Sequence, residues 1–160
     1  MRSLVTGGTG FTGSHLARRL VERGEEVVAL DHKPGLFADD LADRGTDVVL
    51  GSVTDPEVLD SVTEDVDVVY HLAAMFRDVD APDELYWDVN VEGTRNVLQA
   101  AERHGVERVV YCSTQGVHGH VDDPPGNEQT PIEPEDYYQE TKYEGEVVCH
   151  EFLDRGLDVS

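Results

Sequence analysis

Lysine is nearly absent from the 160-residue chain: Lys33 and Lys142 are the two it has. With the arginines they make 12 basic side chains against 34 acidic ones, a formal net charge of −22. That density of negative charge repels phosphate backbones and anionic bilayers, so nucleic acid and membrane surfaces are excluded as partners. No apolar run approaches the roughly 18 residues of a membrane helix, and the first one breaks at Thr6 before a signal-peptide core can form. The expectation is a soluble, unexported, cytoplasmic chain. Cysteine is scarce as well. Cys112 and Cys149 have no CxxC spacing, which gives no disulfide framework, fits a reducing compartment and predicts two ordinary buried thiols. Two readings of the acidity stay open, adaptation to a salty (halophilic) cytoplasm or an ordinary acidic protein.

What the chain does have is alternation. Its length suits one domain with a buried core. Short β-branched runs at residues 2–5, 25–30, 46–50, 66–72 and 108–112 read as strands, with a sixth starting at Leu157. Helical stretches lie between them, the pattern of βαβ units and a parallel sheet buried on both faces. After the first strand, Leu16, Ala17, Leu20 and Val21 form one apolar stripe, closed by Arg23 and Gly24. Residues 84–104 read as the longest helix, stopped by Gly105, and residues 136–155 as the last, stopped by Gly156. Residues 115–135, rich in Pro, Gly and Asp, form a long irregular segment of the kind that is usually functional.

The segment TGGTGFTG, from Thr6 to Gly13, places four glycines between the first strand and the first helix. That junction is where a dinucleotide-binding turn belongs. Gly7 permits the tight turn, Gly10 lets backbone approach a pyrophosphate, and Gly13 lets the helix pack closely. Amide groups and the dipole at the helix start then bind the phosphates. Asp31 ends the second strand eighteen residues after Gly13, the expected place for a carboxylate that accepts from the adenosine ribose hydroxyls. It would repel a 2′-phosphate, so NAD is expected over NADP; His32 and Lys33 are too ambiguous to overrule it.

The spacing Thr6-Gly7-x-x-Gly10-x-x-Gly13 resembles the TGxxGxxG signature of the extended short-chain dehydrogenase/reductases, and Phe11 stands where the single-domain reductases have glycine. HLAA at 71–74, NVEGT at 90–94, YCSTQGVHG at 111–119 and YYQETKYEGE at 137–146 resemble the same family in the same order, and look like its nucleotide-sugar epimerase/dehydratase branch. The resemblance implies an α/β Rossmann-type doubly wound parallel sheet with helices on both faces. Residues 1–160 would be its NAD-binding domain, and the C-terminal portion that forms the substrate pocket in longer family members would be missing. It also implies NAD as cofactor and a nucleotide sugar as substrate. A homodimer is a further expectation, from the apolar sheet edge that would be left unpaired beside the fifth strand or the sixth-strand stub. The cofactor would touch Gly7, Gly10, Phe11, Thr12, Gly13, Asp31, Ser52, Val53, Leu72, Ala73, Ala74, Asn90, Ser113, Tyr138 and Lys142.

Tyr138 and Lys142 stand four apart on the last helix and share a face, where the ammonium would lower the phenol pKa; Tyr137 and Tyr143 lack that relation. By the resemblance, Lys142 also holds the nicotinamide ribose and Thr114 is the catalytic hydroxyl, with Ser113 on the cofactor side. Catalysis would start with hydride transfer from a carbinol carbon as Tyr138 takes the hydroxyl proton. Dehydratases of the family carry Asp-Glu after the catalytic threonine. Here Gln115 and Gly116 stand there, which disfavours elimination and leaves epimerisation or dehydrogenation. Ser52 replaces an expected Asp at the adenine, and His118 replaces the tyrosine of VYG. A metal cluster of His118, His120, Asp122 and Asp123 is discounted as a flexible-loop coincidence, and His71 is read as structural. Two other readings stay open, a same-family dehydrogenase of a steroid-like or flavonoid-like alcohol and a non-catalytic dinucleotide sensor.

Overall fold

The computed structural model describes residues 1–76, 78, 80–122 and 124–160. Five strands, β1 (Arg2–Thr6), β2 (Glu26–Asp31), β3 (Asp47–Leu50), β4 (Val68–His71) and β5 (Arg108–Tyr111), form one sheet in the order β3-β2-β1-β4-β5. Every pairing is parallel. The expected sixth strand is present as a start: Asp158 O and Ser160 O accept from Val109 N and Tyr111 N at 2.9 and 2.8 Å, and Val109 bridges Val159 in parallel.

Alternation along the strands sends side chains to two cores. Leu4, Val28, Leu30, Val69 and Val109 face one side, against α3 (Pro56–Thr63), α5 (Gly93–His104) and α6 (Tyr137–Asp154). Val5 and Val27 face the other, against Ala17 and Leu20 of α1 (Phe11–Glu22) and Leu41 of α2 (Ala38–Asp43). The sheet is therefore covered on both faces, as a parallel sheet requires. Phe152, Leu59 and Leu98 are fully buried, and each such side chain stabilises the fold by about 1.5–3 kcal/mol.

Local signals set the helix ends. The Asp55 carboxylate accepts from Glu57 N and Val58 N ahead of Pro56, and Asp136 accepts from Gln139 N at 2.8 Å. Gly105 closes α5 in the left-handed region at φ 69°. One expectation is corrected. Residues 84–104 are three pieces: α4 (Asp83–Trp87), a wider π-helical turn (Asp88–Glu92) and α5. Periodicity cannot reveal the extra residue of a π turn, whose effect here is to bury Asn90.

A chain of buried hydrogen bonds ties β1, β4 and α5 beneath the site. Thr94 Oγ1 donates to Asn90 O at 2.7 Å, so it must accept from His71 Nε2–H at 3.0 Å. His71 Nδ1 then accepts from the Thr6 hydroxyl at 2.7 Å, and that hydroxyl accepts from Ala73 N–H at 3.2 Å. The structural role expected of His71 is the one it has. Burial, with the Lys142 charge adding, pushes its pKa down to about 3, so it folds as the neutral Nε2–H form.

Because the unfolded chain protonates this histidine near the ordinary 6.5 and the folded chain does not, His71 costs stability as pH falls from about 6.5 toward 3. Urea midpoints measured from pH 8 to pH 4 should therefore fall with acidification. His71→Gln, which keeps hydrogen-bonding capacity without the titration, should flatten part of that slope. An unchanged slope in the variant would refute the assignment.

Candidate NAD and substrate site

At the carboxyl ends of β1, β2 and β4 lies a cavity of about 410 Å³. The glycine turn forms its floor. Gly7 has φ 66°, and a Cβ there would stand 2.9 Å from Ala73 N. A Cβ on Gly13 would stand 2.1 Å from Gly7 O, so α1 can start against the turn only with glycine at that position. The helix begins with no side-chain cap and no acid in its first turn, which leaves its positive end suited to an anion. Gly10, Ser52, Val53, Leu72, Ala73 and Ala74, all among the expected cofactor contacts, line this cavity.

Asp31 is on the cavity wall, 11% exposed, and is fixed by a residue that sequence reasoning passed over. Thr9, itself buried, donates to Asp31 Oδ2 from its backbone N–H at 3.1 Å and its hydroxyl at 2.8 Å. The other oxygen, Oδ1, stands 3.2 Å from His32 Nδ1. Thr9 sits inside the glycine segment, so its position was visible although its role was not. Lys33, Met75, Leu85 and Val89 also line the wall.

A second cavity, about 540 Å³, is lined by Phe76, Tyr86, Tyr137, Tyr138, Gln115 and Thr114 among others. Thr114 and Tyr138 therefore face one space. The Thr114 oxygen accepts from Gly116 N at 3.2 Å, capping a 3-10 turn (Gln115–His118), and its O–H remains a donor. Tyr138 packs its ring on Phe76 at 4.8 Å. Lys142, one turn on, is 2% exposed and its ammonium makes no hydrogen bond or ion pair among the described residues. It lies over the Tyr111 ring, 4.2 Å from the centroid. Burial lowers its pKa to about 8, against opposing contributions from Cys112, Cys149 and Glu146.

The expected lowering of the Tyr138 pKa by Lys142 is not found. Burial raises it, and Cys112 and Asp136 add to the rise, because the ammonium is turned to Tyr111. The buried-thiol expectation holds for Cys149 and fails for Cys112, which follows the last residue of β5 and is exposed. The Asn90 amide is buried and its donors are taken: Oδ1 accepts from Met75 N at 2.7 Å, and Nδ2 donates to Met75 O and Thr141 Oγ1. It clamps the loop after β4 to α6. Ser113 donates to Glu146, away from both cavities. Phe11 is 76% exposed against His15, and Thr12 is exposed beside it. His118 Nδ1–H donates to Thr130 O and Pro131 O, both at 3.1 Å, which pins the irregular segment to the 3-10 turn. Among the described residues no three potential metal ligands converge; Asp123 lies outside those residues.

The model of the NAD dependent epimerase/dehydratase family matches residues 3–159. A UDP-glucose 4-epimerase of Halalkalibacterium halodurans is 36% identical over 94% of this chain and 46% of its own. A 3 beta-hydroxysteroid dehydrogenase/Delta 5-->4-isomerase of Mycobacterium tuberculosis is 36% identical over 95% of this chain and 42% of its own. The solved dTDP-glucose 4,6-dehydratase DesIV of Streptomyces venezuelae, with NAD and TYD bound, superposes with a TM-score of 0.91 at 35% identity, covering 99% of this chain and 54% of its own. This chain thus spans about half the length of the relatives it matches. By sequence match and by fold, the chain belongs to the NAD dependent epimerase/dehydratase family.

Proposed function

We propose that this chain forms the NAD-binding part of an oxidoreductase that acts on a hydroxyl-bearing carbon of a nucleotide sugar. The observation that carries the reading is a pair of cavities: the glycine-floored one with Asp31 on its wall, and a second one whose lining includes both Thr114 and Tyr138. NAD, bound in the first, supplies the hydride acceptor. Asp31 Oδ1 accepts from its adenosine ribose, Thr9 fixing the carboxylate, and the uncapped start of α1 holds the pyrophosphate. The Lys142 ammonium, held against the Tyr111 ring and making no hydrogen bond or ion pair among the described residues, is a donor available to a hydroxyl oxygen. Thr114 O–H orients the substrate oxygen. Tyr138 moves the proton at that oxygen. Gln115 and Gly116, the two positions after Thr114, bring no carboxylate for elimination, which supports epimerisation or dehydrogenation.

The aromatic lining by Phe76, Tyr86 and Tyr137, together with the steroid dehydrogenase relative, favours a second reading, an apolar ring alcohol as substrate. Thermal-shift screening with NAD present against UDP-sugars, dTDP-sugars and sterols separates the two, since each ligand stabilises the protein that binds it.

NAD should bind more tightly than NADP. Asp31→Ala should weaken NAD by about 1–3 kcal/mol, the cost of a charged hydrogen bond, and weaken NADP far less. Calorimetric titration of both cofactors into both proteins checks this, and equal affinity for NADP in the parent would show that Lys33 dominates the wall.

The 160 residues should bind NAD yet turn over sugar nucleotides orders of magnitude more slowly than a chain of the relatives' full length. Holding the reacting carbon at the nicotinamide is worth several powers of ten in rate, and about half of the relatives' length lies outside the part matched here. Steady-state assays decide; robust turnover would mean a complete substrate site within these residues.

Acidity supplies another prediction. Surface pairs such as Arg18–Asp40 and Arg95–Glu151 are exposed and screened by solvent and so hold little, whereas 34 acidic groups against 12 basic ones repel throughout the surface. Repulsion wins, so we expect the melting temperature to climb steeply from dilute to molar KCl as screening sets in. A flat response removes the salt-adaptation reading.

A further inference from the structure

Tyr111 is the last residue of β5 and was not among the expected site residues. We propose that Tyr111 is the positioning residue for Lys142, its ring face holding the ammonium and its hydroxyl holding the helix that carries it. The proposal rests on the reading of Lys142 as a site residue. Four contacts converge. The Lys142 Nζ lies 4.2 Å from the ring centroid. The phenol O–H donates to the Lys142 backbone carbonyl at 3.1 Å. Gly145, one turn from the carbonyl, gives the phenol room, since a Cβ there would stand 2.2 Å from the Tyr111 oxygen. On the other side the ring meets His71 at 5.7 Å.

The electrostatics leave the ring as the direct partner. The groups facing Lys142 are Glu146 and Cys149 from its own helix, Tyr111 and Cys112 from the β5 end, and His71 from β4. His71 is neutral, and burial pushes the Cys149 thiol up to about 12. Glu146 is engaged by the Ser113 hydroxyl. Burial likewise pushes the Tyr111 phenol far above its ordinary value, so it remains a neutral donor and is no rival base to Tyr138. An aromatic face attracts a cation most where water is excluded, and Lys142 is almost fully buried.

The scarcity of lysine makes the test direct. Protein grown with lysine 13C-labelled at Cε shows two resonances, from Lys33 and Lys142, assigned with Lys33→Arg. Lys142 should titrate near 8 in the parent and within a few tenths of that in Tyr111→Phe, which keeps the ring. In Tyr111→Leu its pKa should fall by about one unit, the equivalent of a desolvated cation–π contact. An unmoved pKa in the Leu variant overturns the proposal, as does a fall in the Phe variant as large as in the Leu variant. Should Tyr111→Leu not fold, the ring current decides: the Lys142 Cε protons should stand upfield of those of Lys33 in both the parent and Tyr111→Phe, and coincident shifts overturn the proposal. NAD titration of the parent is read separately. Failure to bind NAD with the resonances behaving as stated would sink the functional reading and leave the placement of Lys142 by Tyr111 supported.

Discussion

Parallel pairing is the constraint on which the rest depends. All five strands run one way, so Thr6, Asp31, Leu50, His71 and Tyr111 all end on the same edge of the sheet. The strand order reverses direction at β1, with β2 and β3 added on one side and β4 and β5 on the other. The connections leaving β1 and β4 therefore diverge to opposite faces, and a crevice opens between them at that edge. The glycine turn follows β1 and the loop 72–76 follows β4, so the two walls of the first cavity are the two sides of that reversal. Nothing in the chemistry had to place them there; hydrogen-bond direction did.

The same edge explains why so much polarity is buried. A strand end under a ligand cavity loses water on one side and lacks a further strand residue on the other, so its polar groups need fixed partners. Thr6, His71, Thr94 and Asn90 meet that need in a line across β1, β4 and α5, and Asn90 continues it to α6 through Thr141. Since Asn90 also grips both polar groups of Met75, the loop lining the first cavity and the helix carrying Tyr138 and Lys142 hang from one side chain. The π turn is what brings that side chain inward.

Local signals made part of this legible. Strand runs, the glycine turn, the acid ending β2, and the Gly105 and Gly156 stops are each written within a few residues of where they act. The Tyr138–Lys142 pair was legible as a pair, since four residues make one helical turn. What could not be read depends on contacts across the chain. Thr9 meets Asp31 across 22 residues and Tyr111 meets Lys142 across 31. The direction in which Lys142 turns is decided by a ring face on another element, and ring faces leave no periodic trace. Cys112 was misread because spacing and compartment carry no information on exposure, which depends on what covers the end of β5.

The isolated ammonium is the least comfortable feature of the chain, and magnitudes say why it is tolerated. A pKa lowered from 10.5 to about 8 corresponds to about 3 kcal/mol of disfavoured charge, a sizeable share of the 5–15 kcal/mol that typically holds a domain together. A carboxylate in contact would remove that cost. It would also occupy the donors and neutralise the charge. An aromatic face avoids both effects. It accepts no hydrogen bond of ordinary strength and brings no formal charge, so it holds the ammonium without occupying its N–H groups. Tyr111 over Lys142 thus reconciles burial of the cation with availability of its donors, which neither solvent exposure nor an ion pair would achieve.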